Sequence, residues 1–346
     1  MKMSDMFSEG WQGKVGHHRQ AGGIETSILD NGPGRGMRMA WFDTGSGLRF
    51  KVQPDRGMNI ADAFYNRYGI SWISSTGDIA TDHPREGVDW LETFNGGLMF
   101  TCGLSHVGPP EWSGHERKGL HGRIGSLKAE VVSIKQPDIR GGDLSMSMTG
   151  IVRETTVMGA NLELRRTIGS VLGEPVITVH DRVTNLGNRS APHMILYHCN
   201  LGWPLVDKGS SIFWKGAWRP RDVMPSNRAY FNREGYRLDH DTLAEHGGNG
   251  ETCVFIDAES DEDGFCRCGI RNPSIGHGLT IRYSTDQLPC LTHWQHWSTN
   301  EFVTGLEPGN CFPIGSAAAE REGSVVRLEP GEYRDYEIRF SIEDVA

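Results

Sequence analysis

The sequence predicts an all-β protein of antiparallel sheets stacked as a sandwich, with few short helices. Short β-prone runs recur along the 346 residues, sustained helical periodicity is rare, and 45 glycines and 16 prolines supply turns between the runs. Such spacing is typical of antiparallel sheets packed face to face. The predicted strands cover residues 48–52, 128–134, 144–153, 161–168, 176–184, 194–198, 252–256, 278–283, 290–297 and 332–342.

Two segments lack this regularity. Residues 78–119 are rich in Gly, Pro and His, and residues 218–250 are polar and aromatic. We expect residues 78–119 to be a long active-site excursion between strands and residues 218–250 to form loops over one face, because a rigid scaffold can hold functional groups on such segments. There is no linker-like tract, charge block or solenoid repeat, so residues 1–346 are expected to form one continuous domain.

Composition restricts the partners. With 35 Lys and Arg against 44 Asp and Glu, the net charge is −9 and no basic run is present, which argues against a nucleic-acid partner. No segment approaches the roughly 20 apolar residues of a membrane span, and the amino terminus does not resemble a signal peptide. Seven scattered cysteines indicate free thiols in a reducing compartment. We therefore expect a cytoplasmic protein with a small-molecule partner and no membrane partner, and its oligomeric state is left open.

His198 is the first candidate for chemistry. It lies in an apolar, strand-like run in which Leu196, His198 and Asn200 share one face. An imidazole in such surroundings can donate or accept a proton near neutral pH. The alternative is a core histidine that hydrogen-bonds to a neighbouring carbonyl group.

Glu307 is the second candidate. It lies at the end of an apolar run. Burial there would raise the pKa of its carboxyl and make it a usable base. The alternative is an ordinary turn, because Pro-Gly suits the centre of a type II turn. The same Leu-Glu-Pro-Gly tetrapeptide recurs at residues 328–331, where charged residues follow and a surface turn is expected.

Four further residues are assigned to substrate binding. Arg56 could grip ligand oxygen atoms or pair with Asp55 at the surface. His121 lies between glycines that permit close approach of a ligand, although a turn with an incidental histidine fits equally well. Trp294 shares a strand face with His296 and offers either a flat platform for a sugar or core packing. His106, in the irregular segment 78–119, is the fourth residue assigned to substrate binding.

No metal and no cofactor are expected. His106, His115 and His121 have no spacing typical of a metal site, and the chain has no phosphate-binding glycine loop. Cys266 and Cys268 are too close together for the usual zinc spacing.

Several short motifs, in this order, resemble those of the galactose mutarotase-like superfamily, the aldose 1-epimerases. The resemblance is to a little-characterised branch known as a domain of unknown function, the DUF4432 type, and it extends over residues 22–342. The motifs are Arg56-Gly57-Met58-Asn59-Ile60, Leu120-His121-Gly122, Tyr197-His198-Cys199-Asn200-Leu201-Gly202 and Gly305-Leu306-Glu307-Pro308.

The resemblance implies a β-supersandwich with a sugar site on its concave face. It also implies that His198 is the general acid, that Glu307 is the general base, and that His121 contacts the ring oxygen or a hydroxyl of the sugar. Two departures leave the sugar open. The arginine of well-studied members is missing from residues 95–103, so Arg56 would replace it or the substrate would differ, and Asp239 matches the family's hydroxyl-binding aspartate poorly.

The resulting hypothesis is an aldose 1-epimerase (mutarotase) that interconverts sugar anomers through Glu307 and His198 without a cofactor. One alternative keeps the fold but catalyses isomerisation or lyase chemistry on a sugar or sugar acid, assisted by a metal at His106, His121 and His296. Another alternative is a non-catalytic carbohydrate-binding protein.

Overall fold

The computed structural model describes residues 11, 13–81, 86–113, 116–221, 231 and 241–345. Within these residues it contains 22 strands, one α-helix (α1, Ser316–Glu322) and four 3-10 helices (His18–Gln20, Asp89–Glu92, Ile124–Ser126 and Ala244–His246). The strands are β1 Gly23–Ile28, β2 Arg38–Asp43, β3 Leu48–Gln53, β4 Asn59–Tyr65, β5 Tyr68–Gly69, β6 Phe100–Leu104, β7 Glu111–Ser113, β8 Glu116–Lys118, β9 Glu130–Lys135, β10 Ser145–Thr155, β11 Asn161–Val171, β12 Val176–Asn185, β13 Ala191–Gly202, β14 Ser211–Phe213, β15 Gly216–Pro220, β16 Thr252–Ala258, β17 Phe265–Asn272, β18 His277–Ser284, β19 Cys290–Ser298, β20 Glu301–Gly309, β21 Val326–Leu328 and β22 Tyr333–Asp344.

The strands form three large antiparallel sheets and one hairpin. The five-stranded sheet has the order β1-β2-β3-β4-β5, and the eight-stranded sheet has the order β14-β17-β18-β22-β12-β11-β10-β9. The seven-stranded sheet has the order β15-β16-β19-β20-β13-β21, with β6 also paired to β13. β7 and β8 form the hairpin. The predicted all-β architecture is confirmed, and each of the ten predicted runs overlaps a strand, with residues 128–129, 144 and 332 lying just before the strands concerned.

β13 separates the main core from a polar face. Ile195, Tyr197, Cys199 and Leu201 belong to the main hydrophobic cluster, which extends through all three large sheets. The alternate residues, including His198, point to the other side, as the strand periodicity predicts. The same strand therefore anchors the core and presents the candidate acid.

A buried ion pair supports β13 from the core side. The Arg166 guanidinium donates to the Asp181 carboxylate at 2.6 Å, and neither side chain is exposed to solvent. The Tyr197 hydroxyl donates to the same carboxylate at 2.8 Å. Removing one partner of such a pair leaves an uncompensated buried charge, which typically costs about 3–5 kcal/mol. This network fixes the strand immediately next to His198.

The two irregular segments are only partly loops. Phe100–Leu104, inside the segment 78–119, is the fully buried strand β6, so the loop prediction is wrong there. Gly103 interrupts its apolar pattern, which is why the run was not recognised as a strand. β15 extends into the segment 218–250, while residues 222–230 and 232–240 lie outside the described part of the chain.

None of the seven cysteines, all of which lie in the described ranges, forms a disulfide, and six of them are buried. No helix in the described ranges is long and apolar enough to span a bilayer.

Candidate active site

A cavity of about 490 Å³ opens on the polar face of the seven-stranded sheet. Strands β13, β19 and β20 form its floor, and residues from loops form its walls. His121, His198, Trp294 and Glu307 all line this cavity. The structure thus brings together four of the six residues assigned to the site from the sequence.

His198 and Glu307 lie next to each other on adjacent strands. The antiparallel register pairs Cys199 with Leu306, so the two polar side chains emerge side by side from β13 and β20. Nε2 of His198 is 3.2 Å from Oε1 of Glu307. The strand continues through Glu307 and pairs it with Thr292, so this Leu-Glu-Pro-Gly is not the turn of the alternative interpretation.

Burial governs the protonation of the pair. It raises the pKa of the Glu307 carboxyl well above its ordinary value and lowers the pKa of His198 to about 4. Attraction between an imidazolium and a carboxylate would oppose both shifts, but both side chains are less than one-tenth exposed and desolvation dominates. At a pH between these two pKa values, the Glu307 carboxyl is therefore protonated and the His198 imidazole is neutral. The pair then shares one titratable proton and carries no charge.

His121 adds a neutral imidazole to the pair. Its ring lies between Trp90, at a centroid distance of 5.2 Å, and His198, at 5.9 Å. Burial lowers the pKa of His121 to about 3, so the ring is uncharged at neutral pH. Its backbone φ of +58° is left-handed, which directs this side chain from a loop toward the strand floor.

Trp294 and His296 form a flat wall. Their rings are parallel within 5° with centroids 6.3 Å apart, and both line the cavity. His293, on the opposite face of β19, instead packs against Trp214 in the interior. The predicted placement of Trp294 with His296, and of His293 away from His296, is confirmed.

Several buried polar atoms of the cavity residues have no hydrogen-bond partner among the residues that the structure describes. They are Nδ1 of His121, Nδ1 of His198, Oγ1 of Thr292 and Oε1 of Glu307. Leaving a buried polar group unpaired typically costs about 1–3 kcal/mol. A ligand that carries several hydroxyl groups would satisfy these atoms, and the aromatic walls would accept its apolar face.

Arg56 does not line the cavity, contrary to its assignment to substrate binding. It is 1% exposed, and its guanidinium donates to the backbone carbonyls of Gly125, Ile79 and Thr93. All three guanidinium nitrogens donate to carbonyl groups and hold loop segments together. Because the side chain is also buried, the guanidinium is not available to a ligand. Arg56 supports the fold.

His106 does not line the cavity either. It is 1% exposed, its Nε2 is 2.8 Å from the Pro109 carbonyl, and its Nδ1 is 3.3 Å from the Ser316 hydroxyl. These contacts tie the loop after β6 to the start of α1. Both ring nitrogens are thus committed to internal hydrogen bonds.

The histidines of the metal-assisted alternative do not converge. His121 and His296 line the cavity, but His106 does not. Across the ranges that the structure describes, no group of three His, Cys, Asp or Glu side chains is arranged to hold a metal ion. His115 and Asp239 lie outside the described residues.

Comparison with known proteins identifies the family. A family model described as "Domain of unknown function (DUF4432)" matches residues 34–342. The chain belongs to this family. No curated protein matches the DUF4432 chain at a significant level.

Solved structures show that this DUF4432 protein has the galactose mutarotase-like fold. A Klebsiella pneumoniae protein provisionally named aldose 1-epimerase superposes with a TM-score of 0.82 at 24% identity, covering 93% of this chain and 83% of that one. A galactose mutarotase-like protein from Clostridium acetobutylicum has a TM-score of 0.63 at 13% identity, covering 93% and 98%. Galactose 1-epimerase from Lactobacillus acidophilus has a TM-score of 0.59 at 11% identity, covering 93% and 99%.

Three charged residues that line the cavity of this DUF4432 chain, Arg221, Glu251 and Glu301, were not assigned to the site from the sequence. Arg221 follows β15 and Glu251 precedes β16, and the guanidinium donates to the carboxylate at 2.5 Å. Glu251 directly precedes the predicted strand 252–256, and a charged residue at such a junction is a weak signal for a site. Arg221 carries no comparable signal, because it lies inside an irregular segment.

Proposed function

We propose that the protein is an aldose 1-epimerase that interconverts the anomers of a sugar by general acid and base catalysis. The observation that carries the proposal is the separation of 3.2 Å between Nε2 of His198 and Oε1 of Glu307 within one buried cavity. A positioned acid and base at this distance can serve neighbouring oxygen atoms of one small substrate. The fold shared with the aldose 1-epimerases supports the same reaction class.

The reaction needs one proton on the pair. Moving that proton from Glu307 to His198 leaves a carboxylate base beside an imidazolium acid. Hydroxyl groups of the bound sugar stabilise both ions by hydrogen bonding, which replaces the hydration that burial removed. An uncharged resting pair and an ionised reacting pair thus differ only in the position of a single proton.

Glu307 then takes the proton of the anomeric hydroxyl while His198 gives its proton to the ring oxygen. The bond between C1 and the ring oxygen breaks, and C1 becomes an aldehyde. Rotation about the C1–C2 bond exposes the other face of the carbonyl, and ring closure reverses both proton transfers. Each positioned group typically contributes about 10²–10⁴-fold to such a step.

The remaining residues bind the sugar. The neutral His121 ring can exchange a hydrogen bond with a hydroxyl or the ring oxygen, and Thr292 offers a further unpaired hydroxyl. The parallel rings of Trp294 and His296 present an apolar wall to the C–H groups of the sugar. These contacts fit an uncharged ring compound rich in hydroxyl groups.

Anomer exchange measured by NMR tests the proposal. The purified protein is expected to accelerate exchange of at least one aldose in a panel of hexoses, pentoses, deoxysugars and sugar acids. Glu307→Gln is expected to lower the enzyme-dependent rate by about 10²–10⁴-fold. Glu329→Gln is the matched control, because it makes the same change in the exposed second Leu-Glu-Pro-Gly and should leave the rate unchanged.

Two results would contradict the proposal. One is the absence of acceleration for every sugar tested, and the other is full activity in Glu307→Gln. Tight sugar binding without exchange, unaffected by Glu307→Gln, would instead identify a non-catalytic carbohydrate-binding protein.

A further inference from the structure

The segment before β16 holds both rings of the flat wall. The Glu251 carboxylate accepts a hydrogen bond from Nε1 of Trp294 at 2.7 Å. The neighbouring Gly250 carbonyl lies 2.7 Å from Nδ1 of His296. A side chain at position 250 has no room, since a Cβ there would lie 2.0 Å from the Glu245 carbonyl oxygen. The two residues therefore form a compact clamp on the two aromatic rings.

The clamped Trp294 ring packs against His198, and its residue pairs with the strand that carries Glu307. It meets the His198 ring at an angle of 72° with a centroid distance of 5.4 Å. On the next strand it lies opposite Gly305, two residues before Glu307. A shift of the indole would thus remove the lateral support of the imidazole.

Glu251 also lies within electrostatic range of Glu307. The nearby negative charge of Glu251 raises the pKa of Glu307, after the larger effect of burial, and the Arg221 guanidinium partly offsets it. Arg221 is bound to the far oxygen of the same carboxylate. The ion pair at the rim therefore influences both members of the catalytic pair, His198 through the Trp294 ring and Glu307 by charge.

Other titratable groups around Glu307 do not compete with this effect. His198 lies on β13, and its protonation is already part of the catalytic pair. The thiols of Cys102 on β6 and Cys199 on β13 interact with Glu307, but burial raises the pKa of both well above the ordinary value. They stay neutral over the working pH range and contribute no charge.

We propose that Glu251 is a positioning residue for the reaction, which holds the Trp294 indole against His198 and adds a negative charge to the wall of the cavity that Glu307 also lines. The inference rests on the proposed epimerase function. Glu251 acts through Trp294 and through space, and it needs no contact with the substrate.

Substitutions of Glu251 separate its two effects. Glu251→Gln keeps an oxygen that can accept from Trp294 but removes the charge, so the alkaline limb of the pH–rate profile should move to lower pH while KM is retained. Glu251→Ala also removes the hydrogen bond and should lower kcat by about tenfold in addition. Trp294→Phe removes the indole N–H, and the double variant with Glu251→Ala should be no slower than the slower single variant.

Glu301→Gln is the control for charge, because Glu301 is another carboxylate at the rim of the cavity. It contacts His296 rather than Trp294, so it should leave the alkaline limb in place. A readout independent of turnover is the NMR signal of the His198 ring in protein with ¹³C-labelled histidine, assigned with His198→Asn. This signal should shift in Glu251→Ala and Trp294→Phe but not in Glu301→Gln, because the indole ring current acts on it.

The outcomes distinguish this inference from the proposed function. If the wild-type protein is active but Glu251→Ala and Glu251→Gln change neither the pH limb, kcat nor the His198 signal, the positioning role is wrong and the function stands. If the wild-type protein exchanges no aldose, the proposed function is wrong. The His198 signal then decides the positioning role, which is overturned by an unshifted signal in Glu251→Ala.

Discussion

A Cβ atom at Gly305 would lie only 2.5 Å from Oε1 of Glu307. The missing side chain leaves the space in which the carboxylate lies beside His198. The same Cβ would lie 3.1 Å from the Trp294 ring, which limits any movement in that direction. Gly305 has no positive φ, so the requirement for glycine here is one of space and not of backbone conformation.

Gly305→Ala is therefore expected to displace the Glu307 carboxylate. The carboxylate is the end of a flexible side chain, so the fold should survive and Tm should change little. Misplacement by about 1 Å typically costs about 10²-fold in rate, and we expect a loss of that size in kcat. Kinetics of anomer exchange and thermal unfolding measure the two effects.

Gly169→Ala is the matched control for this substitution. Gly169 is also a buried strand glycine without positive φ, on β11, and its nearest neighbour would be the Thr178 hydroxyl at 3.2 Å. Activity of this variant should equal that of the wild type. Full activity of Gly305→Ala would show that the carboxylate does not need its observed position.

The pH dependence of kcat/KM should reflect burial of the pair. Below the pKa of His198, about 4, a second proton binds and no base is left. Above the raised pKa of Glu307 the shared proton is lost and no acid is left. We expect a bell-shaped profile whose acid limb lies near pH 4, well below the ordinary histidine pKa of about 6.5. Rates corrected for spontaneous exchange test this, and an acid limb near pH 6.5 would contradict the burial argument.

His121→Asn should weaken sugar binding without disturbing the backbone. Asparagine tolerates the left-handed φ of this position better than most residues. Loss of one neutral hydrogen bond typically costs about 0.5–1.5 kcal/mol, so we expect KM or Kd to rise by up to about tenfold. Isothermal titration and kinetics measure this change. Unchanged affinity would show that the imidazole does not contact the sugar.

Arg56→Lys should reduce stability and leave sugar affinity unchanged. A lysine ammonium on a narrower stem cannot reach three carbonyls at once, and each buried acceptor that loses its partner costs about 1–3 kcal/mol. A lower midpoint of denaturation, with KM near the wild-type value, is the expected result. A large rise in KM at unchanged stability would restore Arg56 to the substrate site.

Strand periodicity was enough to place some of the site. Alternation along β13 correctly separates His198 from Tyr197, and alternation along β19 correctly joins Trp294 to His296. The register between distant strands could not be read in this way. The adjacency of His198 and Glu307 depends on the pairing of β13 with β20, which was expected from the family resemblance and not from local pattern.

Charged residues in irregular segments were the hardest to interpret. A guanidinium such as that of Arg56 binds carbonyl oxygens and ligand oxygens equally well, and only the surrounding chain decides which are present. Arg221 and Glu251 line the cavity because the end of β15 and the start of β16 lie close together in the fold. No local property of the sequence predicts that these two segments are neighbours. The two copies of Leu-Glu-Pro-Gly make the same point, since residues 306–309 all lie in a buried strand, whereas in the second copy the strand ends at Leu328 and residues 329–331 are exposed.

β13 is bordered by β6, β20 and β21, so the strand that carries His198 lies inside its sheet. His198 and Glu307 thus lie on strands that are paired on both sides, whereas much of the cavity wall comes from loop ends. Insertions and substitutions in those loops can alter the shape offered to a ligand at little cost to the pairing of the strands. Under the proposed function, the architecture would allow preference for different sugars to diverge while the pair of His198 and Glu307 is retained.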